Sequence, residues 1–288
     1  MLETPSQTRR PHRDDNLETK KSRLVRVGST VFGGEHFQVI AGPCSIESRE
    51  QFSETAEFVK KSGARAIRGG IFKMRTNPSS FQGLGNQALE IAREIKAEIG
   101  LPIVSEITDP RQLNDMHDIV DLFQVGSRNM YNYTLLKELG QLRKPVLLKR
   151  GFSALVEEWL LAAEYIVAGG NPNVILCERG IRTFEKITRN TLDLSAVAYV
   201  KAKSDFPVIV DPSHGTGVPD LIEPMSLAAA AAGADGLIIE VHNHPEKAKS
   251  DGFQALTYAR FAHLMHNLDG LLKHLNRPLE WASQRTIQ

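Results

Sequence analysis

A chain of 288 residues can bury a large core, and one barrel-type domain is as plausible as two smaller domains. The chain carries 35 basic and 34 acidic residues, and its formal net charge of +1 provides no overall field to recruit nucleic acid or an anionic membrane. Two cysteines, Cys44 and Cys177, are too few for a disulfide scaffold and fit a reducing compartment.

The N-terminal part of the chain is polar before it becomes periodic. Residues 1–23 are mildly basic and contain no apolar segment that would act as a signal peptide, so we expect a mobile tail. No stretch of the chain approaches the roughly 18 apolar residues that span a bilayer. We therefore expect a cytoplasmic protein that binds neither membranes nor nucleic acid. Residues 24–36 alternate around Gly28-Ser29 and predict a small hairpin.

From Phe37 onward an apolar strand, a loop and an amphipathic helix follow one another repeatedly. The predicted strands are 37–41, 64–68, 102–107, 122–126, 145–149, 174–177, 207–211 and 236–241. The predicted helices lie near 49–62, 87–99, 110–118, 132–140, 154–169, 190–202, 219–233 and 253–275. Eight such units predict an α/β fold, a single (β/α)8 TIM barrel over 37–276, with a C-terminal tail at 277–288. The alternative, an open doubly wound sheet, would more naturally carry G-x-G-x-x-G after its first strand, and none is present.

In a TIM barrel the residues that end the strands or open the following loops lie on one rim, where such enzymes hold their active sites. Each unit supplies a polar or ionisable group at that position. These residues are Cys44, Arg68 with Lys73 and Arg75, Glu106, Arg128, Lys149, Arg179, His214, and Glu240 with Asp251. A purely structural barrel has no reason to place them there.

Four rim residues form a candidate metal site: Cys44, His214, Glu240 and Asp251. One thiolate, one imidazole and two carboxylates suit one divalent ion of the Mn, Fe, Co or Zn class better than Mg or Ca. Each member also has a structural interpretation, since Cys44 can be a small buried apolar group and His214 a satisfied core histidine. A rival set uses His242, which shares strand parity with Glu240 but would face solvent or the loop if the strand ends near residue 241.

The rim also gathers cations: Arg68, Lys73, Arg75, Arg128, Lys149 and Arg179. If they converge without matching carboxylates they repel one another, which implies two anionic substrates or one substrate carrying both carboxylate and phosphate. Lys73 or Lys149 could instead be a Schiff-base nucleophile, because a lysine among other cations tends to have a lowered pKa.

Seven ordered motifs resemble those of 3-deoxy-D-arabino-heptulosonate 7-phosphate (DAHP) synthases, in the microbial branch related to 3-deoxy-D-manno-octulosonate 8-phosphate (KDO8P) synthases. The motifs are GPCSIES (42–48), RGGIFKMRT (68–76), QVGSRNM (124–130), LKRG (148–151), CERG (177–180), DPSH (211–214) and IEVH (239–242). The likeness covers roughly residues 24–265. The chain departs from the usual family pattern at Met74, Gly215 and Phe253, where proline, alanine and proline are usual.

The resemblance implies that Cys44, His214, Glu240 and Asp251 hold a divalent metal. It implies roles for the cations as well. Arg128, Lys149 and Arg179 would hold the phosphate of phosphoenolpyruvate, Arg68 and Lys73 would face its carboxylate, Arg75 and Thr76 would take the phosphate of erythrose 4-phosphate, and Glu106 would be a local counter-charge. Lys73 and His214 are the candidate proton carriers.

The expected reaction is an aldol-type condensation of phosphoenolpyruvate, D-erythrose 4-phosphate and water to DAHP and phosphate, the first step of the shikimate pathway. The octulosonate branch typically has Ala-Asn-Arg-Ser after the lysine, so Arg75-Thr76 favours the four-carbon aldose. The alternatives are KDO8P synthesis from arabinose 5-phosphate and a non-catalytic binding barrel. The resemblance further implies a homo-oligomer, a dimer or a tetramer.

Overall fold

Eight parallel strands close into a barrel in the computed structural model, which describes residues 21–277 and 279. The strands follow one another around the barrel in chain order, and the last pairs with the first. The predicted TIM barrel is confirmed, and so is the hairpin, whose two antiparallel strands precede it. Most of the two expected tails, at residues 1–20, 278 and 280–288, lies outside the described residues.

The elements have the following bounds. The hairpin strands are β1 (Val25–Val27) and β2 (Thr30–Phe32), and the barrel strands are β3 (Gln38–Gly42), β4 (Ala66–Arg68), β5 (Ile103–Ile107), β6 (Leu122–Val125), β7 (Val146–Lys149), β8 (Val174–Glu178), β9 (Val208–Val210) and β10 (Gly236–Glu240). The helices are α1 (Arg49–Lys61), α2 (Asn86–Ile99), α3 (Leu113–Met116), α4 (Tyr133–Gln141), α5 (Val156–Ala168), α6 (Leu194–Lys203), α7 (Pro212–Thr216), α8 (Pro219–Ala231) and α9 (Tyr258–His274).

The barrel interior is apolar toward the amino-terminal ends of the strands and polar toward their carboxyl-terminal ends. Its apolar residues form one buried cluster, which the hairpin residues Val25, Val27 and Phe32 join. The barrel members of this cluster are Ile40, Ala66, Val104, Leu122, Leu147, Ile175, Cys177, Ile209 and Ile238. Two positions further along six strands, on the same face, stand Arg68, Glu106, Gln124, Lys149, Asp211 and Glu240. The alternation of each strand thus carries polar groups to the carboxyl-terminal rim, while residues of the other parity pack against the helices.

Three helices differ from their predicted bounds by more than two residues. The segment predicted at 110–118 is a 3-10 turn, Pro110–Gln112, followed by the single turn α3. α6 begins at Leu194 because the Asp193 carboxylate accepts a hydrogen bond from the Ala196 N–H, and α9 begins at Tyr258 behind Thr257 in the same way. α7 was not predicted. Among the described residues, no helix is both long and apolar enough to cross a membrane.

Candidate active site

A cavity of about 280 Å³ opens at the carboxyl-terminal rim of the barrel, and we call it the rim cavity. All eight residues predicted to bind substrate line it: Arg68, Lys73, Arg75, Thr76, Glu106, Arg128, Lys149 and Arg179. His214 and Asp251 line it as well. Cys44 borders a smaller adjoining space together with Lys73 and Glu106. The structure therefore brings side chains from widely separated parts of the sequence to one polar chamber.

Three of the four predicted metal ligands form a compact cluster. One ligand atom each of Cys44, Glu240 and Asp251 lies within 4.8 Å of the others. His214 is not a member of this group, but its Nε2 lies 3.2 Å from Glu240 Oε1. The cluster is closed by Ser250, whose hydroxyl is 3.1 Å from the Cys44 sulfur.

The donor set fits a borderline divalent ion. Glu240 Oε1 is buried and accepts no hydrogen bond from the described residues, although Arg68 and His214 nitrogens lie 3.1 and 3.2 Å away. Burial raises the pKa of the Cys44 thiol to about 12, and the charge of Glu240 adds to this effect. A thiolate here needs a cation to stabilise it. Asp251 has a left-handed backbone with φ of 48°, which is costly for a residue other than glycine and common at functional sites.

The rival ligand His242 is directed elsewhere. It was expected to face solvent or the loop if the strand ended near residue 241, and of these two it does not face solvent, since only 5% of the residue is accessible. The backbone continues its pairing beyond β10, where the His242 N–H donates to the Leu256 carbonyl at 3.0 Å. Its Nδ1 accepts a hydrogen bond from the His244 N–H, and its Nε2 lies 3.8 Å from Glu47. The His242 imidazole therefore lies beside Glu47 and is not a member of the three-residue cluster.

Four of the six rim cations have a carboxylate partner, so the premise of cations without matching carboxylates holds for only two. The pairs are Lys149–Asp211 at 2.6 Å, Arg68–Glu240 at 3.1 Å, Arg75–Asp251 at 3.5 Å and Lys73–Glu106 at 3.9 Å. Burial tends to lower the pKa of Lys73, but the neighbouring Cys44 and Glu106 raise it overall. This direction disfavours the neutral amine that a Schiff-base nucleophile requires.

Asp211 is a site residue to which the sequence analysis assigned no role. It is fully buried, and one carboxylate oxygen lies 2.6 Å from Lys149 Nζ and 2.8 Å from His214 Nδ1. Its other oxygen accepts the His214 N–H at 2.9 Å and caps α7. Burial alone would raise the pKa of this carboxyl, but His214 and Lys149 hold it well below its usual range. One sequence feature could have indicated this role: Asp211 has the same strand parity as Ile209, which faces the barrel interior on β9. The Asp-Pro pair is also an ordinary start of a helix, and this pattern hid the feature.

The two remaining cations, Arg128 and Arg179, have no carboxylate within 4.0 Å in the part of the chain that the structure describes. Arg179 is only 3% exposed and donates to Asn190 Oδ1 at 2.6 Å and to the His214 carbonyl at 3.2 Å. Burial lowers its pKa to about 10. Arg128 is exposed toward the cavity and donates to Thr76 Oγ1 at 3.3 Å. A buried guanidinium without a counter-charge favours binding of an external anion.

Arg189 and Phe152, which were not predicted as site residues, also line the rim cavity. Arg189 donates to Gln254 Oε1 at 2.7 Å, and Gln254 in turn donates to Glu240 Oε2 at 2.5 Å. Arg189 lies in the loop between β8 and α6, the same rim loop that follows Arg179, and this shared position was the available signal. Phe152 carried none, because a single aromatic residue in a loop is unremarkable in sequence.

Comparison with known proteins identifies the family of the chain. The sequence profile of the DAHP synthetase I family matches residues 17–274. A phospho-2-dehydro-3-deoxyheptonate aldolase of Thermotoga maritima is 49% identical over 248 residues, 86% of this chain and 73% of that protein. A 2-dehydro-3-deoxyphosphooctonate aldolase of Nitrobacter hamburgensis is 30% identical over 276 residues, 88% of this chain and 94% of that protein.

Solved structures give the same result. The crystal structure of a phospho-2-dehydro-3-deoxyheptonate aldolase (DAHP synthase) from Thermotoga maritima superposes with a TM-score of 0.86 at 48% identity, over 88% of this chain and 75% of that one. A truncated form of the 3-deoxy-D-arabino-heptulosonate 7-phosphate synthase from the same organism gives 0.83 at 45% identity, over 88% and 94%. The motifs, the barrel and these relatives agree, and the chain belongs to the DAHP synthetase I family.

Proposed function

We propose that this chain condenses phosphoenolpyruvate with D-erythrose 4-phosphate and water to DAHP and inorganic phosphate, as a 3-deoxy-7-phosphoheptulonate synthase of aromatic amino acid biosynthesis. The observation that carries the proposal is a single rim cavity containing all the predicted substrate-binding cations. The 49% identity to a relative named for this activity supports the choice of substrates. The octulosonate aldolases are more distant, at 28–31% identity.

We assign the cations of the cavity to two separate anions. Arg128, Lys149 and Arg179 would hold the phosphate of phosphoenolpyruvate, with the buried charge of Arg179 compensated by it. Arg68 and Lys73 would face the carboxylate of phosphoenolpyruvate. Arg75 and Thr76 would hold the phosphate of the aldose, with Glu106 as the local counter-charge of Lys73. Fixed cations offset the mutual repulsion of the two substrates and orient the enol carbon toward the aldehyde.

A divalent ion of the Mn, Fe, Co or Zn class, held by Cys44, Glu240, Asp251 and His214, would polarise the aldehyde carbonyl when bound. The enol carbon attacks that carbonyl, and positive charge develops on the neighbouring carbon of phosphoenolpyruvate. Water adds there, and the resulting hemiketal phosphate loses inorganic phosphate by C–O cleavage. Lys73 and His214 line the cavity and are the proposed proton carriers.

The proposal is tested by measuring phosphate release and product mass with phosphoenolpyruvate and each aldose, with and without a chelator. Erythrose 4-phosphate should be preferred over arabinose 5-phosphate by at least about tenfold in kcat/KM. Chelation should abolish turnover, and added metal should restore it. A preference for arabinose 5-phosphate would assign KDO8P synthesis instead, and no phosphate release with either aldose would leave a binding barrel.

The setting proposed for the enzyme is a cytoplasmic homo-oligomer, a dimer or a tetramer. The two free thiols, Cys44 and Cys177, support a reducing compartment. Large exposed apolar side chains on and next to α4 and α5 support association: Tyr131, Tyr133, Leu155, Leu161 and Tyr165. Sedimentation equilibrium of the purified protein gives the mass of the assembly, and a monomer would contradict the proposal.

A further inference from the structure

The phenyl ring of Phe152 lies among three guanidinium groups at the edge of the rim cavity. The guanidinium carbons of Arg128, Arg179 and Arg182 lie 5.4, 4.8 and 4.9 Å from the ring centroid. The Phe152 carbonyl also accepts a hydrogen bond from the Arg182 N–H at 2.7 Å, which joins the loop after β7 to the loop after β8. The backbone that carries the ring is therefore joined to the loop that carries Arg179.

Two of these three arginines are the rim cations that lack a carboxylate partner among the described residues. A carboxylate would orient a guanidinium, but it would also occupy its N–H donors and cancel its charge. The face of an aromatic ring attracts a cation through its quadrupole and leaves the charge and most donors available. Phe152 therefore combines orientation with an undiminished positive field.

The contrast with the paired cations supports this reading. Lys149 and Arg75 are oriented by Asp211 and Asp251 at 2.6 and 3.5 Å. Arg128 is exposed, and its polar contact with Thr76 is long, at 3.3 Å. A long flexible side chain loses rotamer entropy when it binds an anion, unless another contact has already restricted it. For Arg128 the ring of Phe152 is that contact.

We propose that Phe152 is a positioning residue, whose ring holds Arg128 and Arg179 in place to receive a phosphate group in the rim cavity. The identity of that group as the phosphate of phosphoenolpyruvate rests on the proposed function. The role requires the electrostatics of the ring and not merely its volume. It predicts weaker binding of the phosphate when the ring is replaced, with little change in the chemical step.

The test compares Phe152→Leu, which keeps an apolar side chain, with Phe152→Tyr, which keeps the aromatic face. The KM for phosphoenolpyruvate should rise about tenfold in the leucine variant, equivalent to about 1.4 kcal/mol, and stay within about twofold in the tyrosine variant. The kcat of both should stay within about twofold. Calorimetric titration of wild type and variants with phosphoenolpyruvate, and with inorganic phosphate, gives the same comparison without turnover.

Fluorinated phenylalanines at position 152 separate electrostatics from packing, because each fluorine weakens the ring quadrupole while changing the shape little. The dissociation constant for phosphoenolpyruvate should rise progressively with the number of fluorines. The matched control is Phe206→Leu, because the Arg23 guanidinium lies 4.3 Å from the Phe206 ring. Phe206 precedes β9 and therefore lies at the opposite end of the barrel from the rim cavity. This control should leave phosphoenolpyruvate binding unchanged.

Unchanged binding of phosphoenolpyruvate by Phe152→Leu would overturn the inference. So would a leucine variant that binds phosphoenolpyruvate weakly while the dissociation constant stays the same across the fluorinated series. Both results leave the proposed function intact if the wild type makes DAHP. A wild type that binds phosphoenolpyruvate but makes no DAHP would reject the proposed function, and the titrations would still decide the role of Phe152. A wild type that binds neither phosphoenolpyruvate nor phosphate would reject both. Circular dichroism establishes that each variant is folded.

Discussion

Replacement of Arg150 by methionine should lower the free energy of unfolding more at neutral pH than at mildly acidic pH. Arg150 is 4% exposed and faces away from the cavity, next to Lys149. Its guanidinium lies 2.9 Å from Glu178, which is fully buried, and 3.0 Å from Asp193, and it also donates to the Ala154 carbonyl. Without Arg150, the one hydrogen-bond donor that the described residues leave to the Glu178 carboxylate is the Gly180 N–H at 2.6 Å.

The size of the destabilisation depends on whether Glu178 takes up a proton once Arg150 is removed. Breaking a buried ion pair costs about 3–5 kcal/mol, but a carboxyl can escape that penalty by taking up a proton. From the reference pKa of 4.5 for glutamate, protonation costs about 3.4 kcal/mol at pH 7 and about 0.7 kcal/mol at pH 5. One lost neutral hydrogen bond adds about 1 kcal/mol at either pH. The expected destabilisation is therefore about 4 kcal/mol at pH 7 and about 2 kcal/mol at pH 5.

The direction of the pH effect has a simple origin. Burial already raises the pKa of Glu178 despite the opposing charge of Arg150, and the substitution raises it further. The folded variant then binds a proton that the unfolded chain has released above pH 4.5, so its stability falls as pH rises toward the folded pKa.

Urea unfolding followed by far-UV circular dichroism at pH 5 and pH 7 measures this difference. The double variant Arg150→Met with Glu178→Gln is the matched control, because the glutamine carbonyl oxygen can still accept the Gly180 N–H without a charge. It should recover most of the loss at pH 7. Equal destabilisation of Arg150→Met at both pH values, or a double variant no more stable than the single one, would refute the reasoning.

Three further predictions concern the site and the far end of the barrel. Cys44→Ala should lose bound metal, measured by mass spectrometry of the elements, and turnover, while circular dichroism stays native; full activity without metal would contradict the metal site. A Cβ at Gly126 would lie 2.1 Å from Glu106 Oε1, so Gly126→Ala should displace that carboxylate and lower kcat/KM by about 10–100-fold with little change in Tm, whereas unchanged kinetics would contradict the role of Glu106. Burial raises the pKa of Asp235 although Lys201 opposes it, so this group stabilises the fold below its reference pKa of 3.8 and that contribution is lost as pH rises through the folded value. Asp235→Asn should make urea midpoints between pH 4 and 7 fall less steeply than those of the wild type, and parallel profiles would contradict this.

The sequence predicted the barrel well because each strand is a short, continuous apolar run with helix periodicity between the runs. It also predicted that strand ends would deliver polar groups to one rim, since the alternation of a strand is fixed by the backbone. Arg68, Lys149 and Glu240 lie where that rule places them. Three of the four predicted metal ligands lie close together in the structure, while His214 lies beside them with its Nδ1 2.8 Å from Asp211.

The residues that the sequence did not reveal act through contacts that no local pattern encodes. Asp211 has the appearance of a helix cap, and only the closed barrel shows that it also faces Lys149. Phe152 becomes meaningful when two loops bring three arginines around its ring. The five-residue helix α7 is too short for a periodic signal, and it forms because Asp211 and Pro212 start it.

The two neighbours Lys149 and Arg150 illustrate how closely accurate folding and function are linked in this molecule. A slip of one residue in the pairing of β7 would turn Lys149 toward the helices and Arg150 into the rim cavity. The misfolded product would then lack the lysine that we propose binds substrate, and it would also leave Glu178 without its counter-ion. Natural selection that acts only on catalytic output would for this reason also eliminate variants whose strands pair out of step.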